Sequence, residues 1–253
     1  MCLLLLALNV VPARPWLLLA NRDEFHVRAS AAADFWKDQP DVFGGRDLVA
    51  GGSWLALNRG GHYAAVTNVR TGRPMAAPRS RGALVSNFVA GAIDPGDYAT
   101  TVAAQRKQYG PFNLVVGDAA GATFVSSIDG EPRRLEPGVH AFSNGSREDE
   151  WPKMRQLRTR FSALSHHESR DDAALLDLLL DESQPAESEL PDTGVGAALE
   201  RVLAPIFIRG ETYGTRASTL AYAGEGGSLA MIERRFGPHG TLLGEARVDT
   251  HSD

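Results

Sequence analysis

Cysteine is almost missing from this chain: one in 253 residues, at position 2. A single thiol excludes an internal disulfide, a paired-cysteine metal site and covalent haem attachment through CxxC. Basic charge is not in excess. Lys and Arg number 26 against 31 Asp and Glu, a net charge of −5, so nucleic acid is not an expected partner. No apolar run approaches the roughly 20 residues that span a bilayer, so no membrane-crossing helix is expected. The chain lacks G-x-S-x-G, G-x-G-x-x-G, P-loop and H-E-x-x-H patterns, which disfavours α/β-hydrolase, nucleotide-fold and zinc-protease readings. Its seven histidines form no ligand-spaced cluster with acidic residues, and no metal site is expected.

What is present starts at the N-terminus. Cys2 stands directly behind the initiator methionine, and its small side chain suits removal of Met1. A thiol and a free α-amine would then share one residue, and the amine can serve as base for its own nucleophile. The segment Met1–Pro12 resembles a secretion signal only in apolarity. It has no basic start and no small-residue cleavage site, so a strand in a cytoplasmic protein is the expectation. With 43% hydrophobic and 23% charged residues, residues 1–253 are expected to form a single globular domain. Nothing in the sequence sets an oligomeric state.

Leu3–Val10 and Trp16–Ala20 read as a hairpin broken by Pro12 and Pro15, apolar throughout and therefore covered on both faces. Asp34–Ser53 reads as loop. Hairpins are expected at Trp54–Leu57 with His62–Asn68 and at Phe112–Val116 with Thr123–Ser127, and short strands at Arg133–Leu135 and Val139–Ser143. Helical spacing marks Gly82–Ala92, Tyr98–Gln108, Trp151–Leu164 and Asp171–Leu180. A mobile loop is expected over Asp181–Gly194. Strands Ile206–Ile208, Thr215–Tyr222 and Ser228–Arg235 are expected to close the chain. Runs of strands alternating with runs of helices predict an α+β fold, a four-layer αββα sandwich with two sheets inside.

The charged tetrad Asn21-Arg22-Asp23-Glu24 ends the second strand, beside Cys2 in the hairpin register. Strand alternation allows at most two of the four to face a core or cleft. An arginine there favours thiolate, and a carboxylate can hold the α-amine. Asn68 and Asn144 each end a strand, where side-chain amides can supply oxyanion donors. Arg216 precedes another strand and can bind a carboxylate or lower a thiol pKa. Gly51-Gly52-Ser53-Trp54 is suited to wall a pocket, and the basic loop with Arg70, Arg73, Arg79 and Arg81 is suited to anions.

Met1-Cys2, Asn21-Arg22-Asp23-Glu24, Gly51-Gly52-Ser53-Trp54-Leu55, Thr67-Asn68-Val69-Arg70, Ser80-Arg81-Gly82, Phe112-Asn113-Leu114, Ser143-Asn144 and Tyr213-Gly214-Thr215-Arg216 occur in one order along the chain. Together they resemble the NRDE family, also called the transport and Golgi organisation protein 2 family. The resemblance implies an N-terminal-nucleophile (Ntn) hydrolase-like fold. The cholylglycine hydrolase and penicillin V acylase group is its mechanistic model, with Cys2, Arg22, Asp23, Asn68, Asn144 and Arg216 as the matching catalytic residues. That group spaces its arginine and aspartate apart, whereas Arg22 and Asp23 are adjacent here. The division of labour among Arg22, Asp23 and Glu24 therefore stays open. Asn21, Glu24, Trp54 and Arg70 are expected to contact substrate. The expected activity is hydrolysis of a linear amide C–N bond in a small molecule, without a cofactor. The resemblance also implies an alternative, a non-catalytic carrier of haem or an acyl lipid on the same fold.

Overall fold

The computed structural model describes residues 3–72, 76–164, 167, 169 and 171–250; Cys2 and Arg73, both singled out above, lie outside the described residues. The first hairpin is β1 (Leu3–Val11) and β2 (Arg14–Phe25). Leu3, Leu5 and Ala7 pack with Leu17 and Leu19 against helices, while Leu4, Leu6 and Leu8 pack with Trp16, Leu18 and Ala20 into a second core. Alternation thus sends every other leucine to a different core, and neither face meets water. At the hairpin turn Ala13 has φ +63°, a left-handed conformation that costs a side chain about 1–2 kcal/mol. Ala13→Gly is expected to stabilise the fold by about 0.5–1 kcal/mol, glycine's extra freedom in the unfolded chain offsetting part of the gain. A urea midpoint that falls in this variant would contradict the assignment of strain.

Next come β3 (Ser30–Trp36), β4 (Gln39–Asp47), β5 (Leu55–Asn58), β6 (Tyr63–Asn68), α1 (Gly82–Val89), α2 (Pro95–Gln105), β7 (Phe112–Asp118), β8 (Gly121–Ser126) and β9 (Arg133–Arg134). These strands form a seven-stranded antiparallel sheet in chain order. Its outer face is covered by α1 and α2 through Leu84, Val85, Phe88, Val102 and their neighbours. Asp94 caps α2, accepting from the Gly96 and Asp97 amides, with Pro95 in the first turn. The chain then crosses back. Strand β10 (Gly138–Phe142) pairs with β1, and after α3 (Pro152–Ser162), α4 (Asp172–Asp177) and α5 (Ala197–Val202) come β11 (Tyr213–Ala223), β12 (Leu229–Phe236) and β13 (Leu242–Asp249). The second sheet has the order β10-β1-β2-β11-β12-β13. Met154, Leu157, Phe161, Leu175 and Leu176 of α3 and α4 cover its outer face. Three cores therefore separate four layers, the αββα sandwich of the α+β class.

Several elements depart from the sequence reading, β3 among the strands that were not expected. The segment read as loop holds β4, because Gly44 and Gly45 are close-approach positions and not chain breaks. A β-carbon on Gly44 would lie 2.6 Å from the Leu55 carbonyl oxygen, and one on Gly45 2.2 Å from the Trp54 ring. Ile206–Ile208 is buried but unpaired as a strand, because the Ile208 amide donates to Thr215 Oγ1 and not to a ladder. Helix α5 and edge strand β13 were not expected. β13 is mostly exposed and charged, so its sequence carries no core signal. Asp181–Gly194 is pinned at several points, Gln156 donating to Asp181 and Thr193 to Glu200.

Candidate active site

The end of β2 is central in its sheet, with β1 on one side and β11 on the other. Leu3 stands opposite Asn21, Ala217 opposite Arg22 and Thr215 opposite Asp23. The register slips between Thr215 and Ala217, leaving Arg216 in a bulge. A bulge re-aims the extra side chain and tightens the local twist. Arg216 donates from Nη1 to the Phe25 and Arg28 carbonyls at 3.0 and 2.8 Å. It thus clamps the turn after β2.

Beside this strand end lies a cavity of about 460 Å³. Arg22, Asp23 and Glu24 line one wall with Arg28 and Asp47; Ser53, Trp54, Asn68, Arg79, Arg81 and Tyr213 line the rest. Three members of the tetrad face it, one more than alternation allows, because the bulged partner strand twists the end of β2. Arg22 is only 4% exposed, stacks 4.4 Å over Trp54 and comes within 3.8 Å of Asp47. Burial pulls its pKa down despite the carboxylates of Glu24 and Asp47. Burial likewise lowers Arg216, against the pull of Glu24. Asp23 accepts from Thr215 Oγ1 at 2.7 Å. Glu24 accepts from the Phe25 amide and lies 3.6 Å from Arg28 Nε. Burial pushes the Asp47 carboxyl up, but Arg28 Nε and the Ala50 and Val49 amides outweigh it and hold it below the usual range.

Asn68 and Asn144 meet across the two sheets. Asn144 donates from Nδ2 to the Asn68 carbonyl and Oδ1 at 2.9 and 3.0 Å. Asn68 lines the cavity, and Asn144, 1% exposed, sits behind it. The structure does not bring Asn21 or Arg70 to this cavity. Asn21 lies on the helix side of β2, donating to the Leu179 and Ile206 carbonyls and accepting from Ser218. Arg70 pairs with buried Glu200 at 2.5 Å and packs on Trp151.

Sequence reasoning missed Arg28, Asp47 and Glu233. Arg28 follows Glu24 by four residues, a spacing that carries little weight outside a helix. Glu233 shares the inward parity of Leu229 and Met231 on β12, which was the available signal. It is 1% exposed, and its Oε1 accepts from the Ala33 amide. Burial raises its carboxyl to about 7, the nearby Arg235 and Arg22 notwithstanding. Arg22, Arg216, Glu233 and Arg235 share a small enclosed space behind Trp54. The folded state therefore holds this proton more tightly than the unfolded chain, whose ordinary value is 4.5. Stability falls as pH rises from about 4.5 to about 7, by up to about 3 kcal/mol. Glu233→Gln is expected to exceed the parent in stability at pH 8 and to match it near pH 4.5. Equal differences at both pH values in denaturant titrations would refute this linkage.

Among the described residues, no group of three or more His, Cys, Asp or Glu is placed to hold a metal ion. A family model described as Transport and Golgi organisation 2 matches residues 1–238. The chain belongs to the Transport and Golgi organisation 2 family. The mouse homologue of that name is 31% identical over 235 residues, covering 86% of this chain and 85% of its own. The human homologue is 30% identical over 235 residues, with the same coverage. The Drosophila melanogaster protein is 27% identical over 256 residues, covering 88% of each chain. Among solved structures, a mutant conjugated bile acid hydrolase from Clostridium perfringens superposes with a TM-score of 0.51 at 8% identity. It covers 99% of this chain and 92% of its own. An N-acylethanolamine-hydrolyzing acid amidase orthologue from Caenorhabditis elegans gives a TM-score of 0.47 at 9% identity, covering 87% and 92%. Together with the four layers described above, the likeness to the bile acid hydrolase shows the layered fold of the Ntn hydrolases.

Proposed function

We propose that the chain is a cysteine amidase of the N-terminal-nucleophile type, hydrolysing linear amides of small molecules in the cytoplasm. One observation carries the reading. Leu3, the residue bonded to Cys2, is registered against Asn21, and the next residues of β2, Arg22 and Asp23, line the cavity. After loss of Met1, the Cys2 thiol passes its proton to the α-amine, and the thiolate attacks the amide carbonyl carbon. Asn68, held by Asn144, donates to the oxyanion. Collapse of the tetrahedral adduct breaks the C–N bond, and the α-ammonium returns the proton to the departing amine. Water then attacks the thioester with the α-amine as base, releasing a carboxylic acid and restoring the thiol. Asp23, fixed by Thr215, orients the amine. Arg22 and the more distant Arg216 favour thiolate through their charge.

Intact mass, measured before and after a thiol-reactive probe, tests this. Loss of Met1 with rapid single labelling at Cys2 supports the reading; a retained Met1 or an inert thiol overturns it. The second reading is a carrier that holds an acyl lipid or haem in the same cavity of about 460 Å³. Flat titrations with haemin and acyl-coenzyme A would end it.

A further inference from the structure

The most exposed apolar side chains fall on neighbouring turns. Val27, Val49 and Leu48, at 94%, 65% and 61%, are the most exposed large hydrophobics among the described residues, and Phe25 adds 55%. Isolated exposed apolar residues are ordinary; a contiguous group is not. Val27 lies on the turn after β2, which Phe25 ends, and Leu48 and Val49 lie on the turn after β4. The turns are bound to each other, the Leu48 amide donating to the Ala29 carbonyl at 3.1 Å and Arg28 Nε to Asp47 Oδ2 at 2.8 Å. They are also internally fixed. Asp47 Oδ1 accepts from the Val49 and Ala50 amides, the His26 amide donates to the Thr212 carbonyl, and Arg216 holds two carbonyls of the first turn. The apolar tips are therefore presented to solvent by a rigid frame.

The cavity lies beside these turns, since Arg28 of the first and Asp47, which precedes the second, line it. Arg79 and Arg81, both exposed, line the same cavity. The lining holds four arginines against Asp23, Glu24 and Asp47, a positive balance on a chain of net charge −5. Apolar tips beside cationic side chains match the boundary between acyl chains and anionic headgroups.

We propose that these two turns dock the chain on an anionic lipid bilayer. Val27, Leu48 and Val49 enter the headgroup boundary, Arg79 and Arg81 face the phosphates, and the cavity opens toward the membrane. A fluid bilayer accepts protruding points without a matching hollow. A second copy does not suit this surface, because four side chains on two tips fall far short of the roughly 1,000 Å² that a stable interface buries. No described helix is long and apolar enough to cross a membrane, so the attachment is peripheral. This inference stands apart from the amidase reading.

The test is vesicle co-sedimentation of the full chain, with phosphatidylcholine alone and mixed with phosphatidylglycerol. The parent is expected to bind the mixed vesicles, less so at high salt. Val27→Asp with Val49→Asp is expected to weaken binding about tenfold or more with the circular dichroism spectrum unchanged. Val27→Ser with Val49→Ser serves in its place if the acidic pair fails to fold. Failure of the parent to bind mixed vesicles, or full binding by either double variant, overturns the proposal. So does a dimer in light scattering that Val27→Asp dissociates.

Discussion

Cys2→Ala is expected to lower amide turnover by about four orders of magnitude or more while the protein remains folded. The size of the effect follows from the mechanism. Without the thiol no thioester forms, and what remains is binding plus oxyanion stabilisation. Folding is expected to survive because the change removes one sulfur atom and leaves the described residues of the three cores unchanged. Cys2→Ser is the informative companion. Its hydroxyl has the same position but a much higher pKa, so Arg22 can no longer help by favouring the ionised form. It should retain far less activity than the parent while still losing Met1. Substrate turnover by Cys2→Ala at a tenth or more of the parental rate would remove Cys2 from the mechanism.

Glu200→Ala is expected to cost about 3–5 kcal/mol and to impair the site as well. Glu200 is 2% exposed, pairs with Arg70 and accepts from the Thr193 amide and hydroxyl. Its removal leaves the Arg70 guanidinium without its counter-charge, half-enclosed against Trp151. The damage then travels. The Arg70 amide donates to the Asn144 carbonyl at 2.7 Å, and its Nη2 lies 3.4 Å from Asn144 Oδ1. Asn144 in turn orients Asn68. Glu200→Gln keeps the acceptor and loses the charge, so its penalty should be intermediate. Denaturant midpoints give the stability change; kcat and KM read the site. A fall in stability with kcat unchanged would show that Arg70 does not support the asparagine pair.

How much of this was legible depends on what each residue's signal rests on. The β1–β2 hairpin was readable because doubly buried strands need an unbroken apolar run, and Leu3–Leu8 with Trp16–Ala20 supply one. Helices α1 to α4 were readable from apolar spacing, but Asp94-Pro95-Gly96, read as a break, starts α2 three residues before the expected Tyr98. Gly44-Gly45 misled because the same residue type serves turns and tight strand packing, and only the Trp54 ring distinguishes them. Asn21 and Arg70 were drawn toward the substrate by their motif neighbours. Alternation sends Asn21 to the helix face, and the position of Glu200, far along the chain, decides where Arg70 points. Glu233 was missed because a lone acid in a strand usually faces water, although its parity with Leu229 and Met231 pointed inward.

The asparagine pair has a consequence of its own. Asn68 ends a strand of the seven-stranded sheet, whereas Asn144 follows the edge strand of the six-stranded sheet. Their contact is a caliper closed across the sandwich, and its jaw gap is set by the thickness of the core between the sheets. Ala20 and Ala65 are small, fully enclosed members of that core. A larger side chain at either would part the sheets by a fraction of an ångström, which a packed sandwich tolerates but a 3.0 Å amide contact does not. Turnover would thus register a swelling of the interior well before the fold gave way.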